Sequence, residues 1–177
     1  MKYYLLIIAF SICSLAFGQT NMYKYKVSDI PWPEKFGNHR AVIHVTKPAN
    51  AVLLNFQWRR SDANVAERMF LIVNAETGDT IKNIQRINVN NDICNIKFGP
   101  VTKKGRYYFY YLPYIVQTGH GFYGRNYYPK ENVPNVTWLK SLSKKIPVAK
   151  IVEIQSRTAF DIVNIHYKVL TNKYQLK

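Results

Sequence analysis

The chain has 177 residues and carries 25 Lys and Arg against 10 Asp and Glu, a formal net charge of +15 with histidines neutral. At 47% hydrophobic, 15% aromatic and 20% charged residues it is too apolar for a disordered basic tail. Fourteen tyrosines beside eight glycines and eight prolines favour strands and turns over a helical bundle, so disorder, collagen and coiled coil are excluded.

The first element in chain order is a leader. Met1 and Lys2 precede the apolar stretch Tyr3 to Phe17, with small residues at Ala16 and Gly18. This pattern predicts a secretory signal peptide over residues 1–18, cleaved after Gly18, and a secreted or periplasmic protein. The run is shorter than the roughly 18 residues that span a bilayer, so no membrane span is expected after cleavage. Cys13 follows Ile12, where a lipid-attachment site requires a small residue, and reads as ordinary leader filler. The mature chain, residues 19–177, is expected to form a single domain. It keeps one cysteine, Cys94, so no internal disulfide is available to it. Cys94, Ile96 and Phe98 alternate, which places the thiol on the apolar face of a strand.

Strand patterns then dominate. Tyr23, Tyr25 and Val27 alternate with Lys24 and Lys26, and Val52, Leu54, Phe56 and Trp58 form the cleanest apolar face. Further strands are predicted at Arg40 to Thr46, Arg68 to Asn74, Thr80 to Val89, Ile93 to Phe98, Arg106 to Leu112, Val148 to Gln155 and around Val163 to Val169. Turn chemistry separates them at Lys47-Pro48-Ala49-Asn50, Thr77-Gly78-Asp79, Asn90-Asn91-Asp92 and Lys103-Lys104-Gly105. The expected class is all-β: an antiparallel, jelly-roll-like β-sandwich with at most one short helix near residues 133–142, opened by Pro134.

The stretch Tyr107 to Tyr128 holds eight of the 14 tyrosines and the loop glycines Gly119, Gly121 and Gly124. Two readings are open for it. It is either a central strand covered on both faces, or a strand with one face turned to a ligand, with Tyr108, Tyr110, Tyr114 and Tyr123 as a stacking platform. Trp58-Arg59-Arg60-Ser61-Asp62 is the most unusual cluster. Its guanidiniums either pair with Asp62 to pin a corner or clamp a polar ligand. His39 and Arg40 follow a glycine turn, and His39 reads as a capping or hydrogen-bonding residue. His39, His44, His120 and His166 lack ligand spacing with acids or cysteines, so neither a metal nor a cofactor is expected.

No motif of an acyl-transfer, metalloprotease or phosphate-binding enzyme occurs. Two distant carboxylates could still meet for glycoside hydrolysis. From Lys97 onward there are 14 basic residues against 3 acids, a net of +11, so the charge leans to the second half. The leader argues against nucleic acid as the partner; an anionic envelope or acidic polysaccharide is a gentler account of the charge, and plain solubility the simplest one.

Tyr23-Lys-Tyr25, Ile30-Pro-Trp-Pro33, Gly37-Asn-His-Arg40, Trp58-Arg-Arg60 with Asp62, Phe98-Gly-Pro100 and Gly105-Arg-Tyr-Tyr108 through Tyr114 occur in one order along the chain. In these residues the chain resembles the N-terminal domain of glycoside hydrolase family 123-like proteins, secreted glycosidases chiefly of Bacteroidetes, over about residues 22–160. The resemblance implies a β-sandwich placed before a (β/α)8 catalytic barrel. In the relatives that barrel acts as a β-N-acetylhexosaminidase, with an adjacent Asp-Glu pair assisting the substrate's own acetamido group. This chain shows no such pair, and its tail, residues 161–177, diverges from the family. The expectation is a sandwich module, non-catalytic by itself, from a truncated gene product. The alternative is a free-standing carbohydrate-binding module. Its site residues, for ligand or interdomain contact, would be His39, Arg40, Trp58, Arg59, Arg60, Asp62, Tyr108, Tyr110, Tyr114 and Tyr123.

Overall fold

A computed structural model describes residues 23–119, 122–131 and 133–159. The predicted leader, the tail with its predicted strand, His120, Gly121 and His166 lie outside the described residues.

Among the described residues the regular structure is eleven strands, one short α-helix and the 3-10 turns Glu34–Phe36 and Val65–Glu67: β1 Tyr25–Val27, β2 His39–Val45, β3 Val52–Gln57, β4 Phe70–Asn74, β5 Thr80–Ile81, β6 Asn83–Val89, β7 Ile93–Gly99, β8 Gly105–Tyr111, β9 Tyr114–Gly119, β10 Phe122–Tyr127, α1 Val136–Lys140 and β11 Lys150–Ser156. Six strands form one sheet in the order β1-β11-β2-β8-β4-β5, three form a second in the order β3-β7-β6, and β9 pairs with β10 as a separate hairpin. The fold is all-β, and its core lies between the two larger sheets.

Alternation drives this arrangement. Ala41, Ile43 and Val45 of β2, Val52, Leu54 and Phe56 of β3, Cys94, Ile96 and Phe98 of β7 and Tyr107, Phe109 and Tyr111 of β8 all enter one buried cluster. Phe56 sits among the rings of Tyr23, Trp58, Phe109 and Tyr111, with centroids 5.5 to 6.3 Å away in edge-to-face packing. Each buried ring of this kind contributes about 2–3 kcal/mol, so the core needs no disulfide. Cys94 is fully buried, and that burial pushes its thiol far above the ordinary value, which keeps it an inert core residue.

Several expectations need correction in detail. The antiparallel rule fails at one edge: β1 pairs parallel to β11, Tyr25 opposite Ile154. The cause is topological, because β1 and β2 flank β11 on opposite sides and residues 28–38 must cross the sheet's outer face to join them. The predicted strand Thr80 to Val89 breaks at Lys82, where the chain leaves one sheet for the other. The segment after Tyr111 is not a loop but the hairpin β9–β10, in full antiparallel register from Tyr114–Tyr127 to Gly119–Phe122. The helix starts after Asn135, whose side-chain oxygen accepts from the Thr137 and Trp138 amides at 2.8 and 3.3 Å, rather than at Pro134. In β11 a bulge between Ile151 and Glu153 turns Val152 outward, so that Ile151 and Ile154 both reach the core.

β8 is central, between β2 and β4, and is covered on both faces. Its inner face is Tyr107, Phe109 and Tyr111. On its outer face Tyr110 packs with Trp32 and Leu71, joined by Phe36, Val73 and Tyr108. The two residues from the 28–38 crossing, Trp32 and Phe36, thus form a strap over the outer face.

Candidate functional site

The residues singled out in sequence divide between two places. His39, Trp58, Arg59, Arg60, Asp62 and Tyr114 gather at the sandwich end where β2 begins and β3 and β8 finish. Arg40, Tyr108 and Tyr110 lie beneath the strap on the outer face.

At the sandwich end the chain turns sharply. Trp58 continues the inward face of β3, and its indole Nε1 donates to the Asn90 carbonyl at 2.7 Å. Arg59 then adopts a left-handed backbone, φ 47°, and its amide reaches the Asp92 carbonyl at 3.3 Å. This reversal leaves Arg59 exposed and turns Arg60 back toward the fold. Leu112 is left-handed too, φ 61°, just after β8, as is Asn64, φ 54°. A non-glycine residue held left-handed costs on the order of 1–3 kcal/mol, and such strain gathers at functional corners. Gly37 meets Leu112 here, since a Cβ at Gly37 would lie 3.0 Å from the Leu112 carbonyl oxygen and its φ is +90°.

Arg60 and Asp62 face each other. Nε and one terminal nitrogen of Arg60 both approach Oδ2 of Asp62 at 2.8 Å, and each side chain is only 12% exposed. The other carboxylate oxygen accepts from the Tyr127 hydroxyl at 2.5 Å. Asn91 donates to the backbone carbonyls of Arg60 and Asp62 at 3.0 and 2.9 Å. Both oxygens of Asp62 are therefore engaged, an arrangement suited to fixing a corner and not to transferring a proton. Tyr127 comes from β10, so the pair also fastens the hairpin to the sandwich. Tyr114 adds a second fastening by donating to Asn38 Oδ1, and its ring meets Tyr127 edge-on at 6.0 Å. His39 stacks over Tyr111 at 6.2 Å, with Nδ1 3.2 Å from Ser156 Oγ. Burial holds the Tyr111 hydroxyl far above its ordinary value despite the nearby Arg60 charge, so it stays protonated.

On the outer face Arg40 is 6% exposed. Its guanidinium lies 3.6 Å from the Tyr108 ring centroid and 4.4 Å from that of Trp32. It donates to Gln155 Oε1 at 2.7 Å, the Tyr110 hydroxyl at 2.8 Å and Ser28 Oγ at 3.1 Å. All three acceptors are neutral. Gln155 in turn donates to Glu153, which lies 3.7 Å from Lys26. Trp32 is fixed by its own bond to the Gly37 carbonyl at 2.7 Å. Burial raises the Tyr110 hydroxyl above its ordinary value, while Arg40 opposes the shift.

Two of the tyrosines singled out, Tyr110 and Tyr114, are withdrawn from the surface at 5% and 2% exposed, and Tyr108, beside Tyr110 on β8, carries Arg40 against its ring. Tyr123 lies on β10 opposite Thr118. Residues that sequence reasoning missed include Trp32, Asn38, Asn91, Tyr127 and Gln155. Trp32 and Asn38 stood inside the family motifs, whereas Asn91 read only as a turn residue. Among the described residues no group of three or more His, Cys, Asp or Glu is placed to hold a metal ion.

The family described as glycoside hydrolase 123, N-terminal domain, matches residues 30–157, from just before the strap through the end of β11. No curated protein and no solved structure matches the chain. The matched span takes in both the strap and the Arg60–Asp62 corner, and the chain belongs to the glycoside hydrolase 123 N-terminal domain family.

Proposed function

We propose that the protein is the non-catalytic sandwich module of a secreted family 123-like glycoside hydrolase, and that its Arg60–Asp62 end seats the catalytic barrel. The family match over residues 30–157 supports this reading, since that family is described as the N-terminal domain of glycoside hydrolase 123. The corner supports the second half. Its charges are prearranged and paired, its backbone is strained into shape, and Arg59 stands exposed beside the pair. Such an end offers a rigid docking surface, since little further ordering is needed on contact. Secretion rests on the predicted leader over residues 1–18.

Two measurements test the proposal. The mature chain is incubated with 4-nitrophenyl N-acetyl-β-galactosaminide, and no release of nitrophenol is expected; turnover by the chain alone overturns the non-catalytic assignment. A separately expressed barrel of a family relative is expected to bind it, with Arg59→Glu weakening the complex. Cell fractionation with N-terminal sequencing checks export and cleavage after Gly18.

A further inference from the structure

The opposite end of the sandwich has a different charge pattern. Cross-strand register sets Lys150 of β11 opposite His44 of β2, and His44 opposite Arg106 of β8. Three basic side chains thus stand side by side on the outer face of the larger sheet, all exposed. Adjacent strands lie about 4.8 Å apart, so the row spans roughly 10 Å. Lys150 and Arg106 thus flank His44 two strands apart, and none of the described ion pairs includes either of them. The loops that meet at this end add Lys47, Lys103 and Lys104, all exposed, with the Ala49–Val101 bridge tying the two loops together.

Acids near the row are few or occupied. Asp79, in the β4–β5 turn, accepts from the Thr77 hydroxyl at 2.7 Å, and Glu76 of the same turn is exposed. Glu153, on the next register row, is engaged by Lys26 and Gln155. That next row also holds Tyr108, half-buried, two residues beyond Arg106 on β8.

We propose that the Lys150–His44–Arg106 row binds an acidic polysaccharide, with the loop lysines extending the track and Tyr108 bordering it. Two fixed cations flanking an imidazole, continued by the loop lysines, fit anionic groups spaced along a chain, and an adjoining aromatic edge suits a sugar ring. The choice of polysaccharide over other polyanions rests on the module reading above.

The test measures binding of the mature chain to chondroitin sulfate, with neutral dextran, duplex DNA and phosphatidylglycerol vesicles as comparators. Chondroitin sulfate is expected to bind tightest, and the affinity to fall as salt is raised. R106Q/K150Q is expected to weaken it about tenfold, while K24Q/K35Q, which removes the same charge elsewhere, changes it less than about twofold. If R106Q/K150Q does not fold, K103Q/K104Q replaces it and is expected to weaken binding as well. Equal losses in both charge-matched pairs, tighter binding of DNA or vesicles, or no binding to chondroitin sulfate each overturn the proposal. The module reading fails separately, through hydrolysis by the chain alone.

Discussion

Arg40 and Arg60 are both withdrawn from water, yet the fold compensates them in opposite ways. Arg60 meets a carboxylate, so its charge is cancelled where it sits. Arg40 meets only neutral acceptors and two ring faces, so its positive charge remains uncancelled by a direct partner. One region is a corner in which the charges are paired; the other keeps a cation among neutral acceptors and rings. The basic row at His44 lies on that same face of β2, with Glu153 on the register row between the two. A buried cation held by neutral groups costs more desolvation than its partners return individually, and it persists when several hydrogen bonds and stacking contacts converge on it.

Substitutions sharpen the contrast. Arg40→Leu should have the largest effect, about 3 kcal/mol of lost stability in urea denaturation, because it strips Gln155, Tyr110 and Ser28 of a shared donor and releases the strap. Asp62→Ala should cost about 2 kcal/mol by leaving Arg60 without its carboxylate. A double-mutant cycle decides whether the regions are independent. Arg40→Leu with Asp62→Ala should add within about 0.5 kcal/mol, whereas Arg60→Ala with Asp62→Ala should fall well short of additivity. Coupling between Arg40 and Asp62 would break the comparison. Tyr127→Phe should cost about 1 kcal/mol and loosen the hairpin, read as faster amide exchange in β9 and β10.

Alkaline titration separates the two regions more gently. Tyr111 and Tyr110 both have hydroxyls raised above the ordinary value of 10.0, so the folded state holds a proton that the unfolded chain gives up. Their contribution is complete below pH 10.0 and is lost as pH rises beyond it. Tyr111→Phe should therefore lift the alkaline unfolding midpoint more than Tyr110→Phe, since Arg40 hydrogen-bonds Tyr110 directly and opposes its shift.

Much of the fold was legible because alternation is a local signal. Val52 to Phe56 and Cys94 to Phe98 must bury one face, and turn residues at Thr77 to Asp79 and Asn90 to Asp92 mark the reversals. The hairpin β9–β10 was not legible, because glycines at its tip and tyrosines on its arms resemble a loop. Nor was the parallel edge pair, since a strand's direction depends on where its partner ends up. The Arg60–Asp62 pairing could be posed from sequence as one of two readings. Its third member, Tyr127, lies 65 residues beyond Asp62 and carries no local mark. The tyrosines were visible as a group, but which rings remain open depends on Trp32 and Phe36 folding over them.

The sequence by itself determined the strand content, the apolar faces, the inert Cys94 and the family, because these follow from period-two patterning and from motifs contiguous in the chain. The excess of positive charge was equally fixed by composition. Tertiary structure alone decided how that charge is distributed: Arg40 hidden among rings, Arg60 cancelled by Asp62, and Lys150, His44 and Arg106 aligned in a row. Register between strands distant in sequence sets which side chains become neighbours, and no local pattern encodes it.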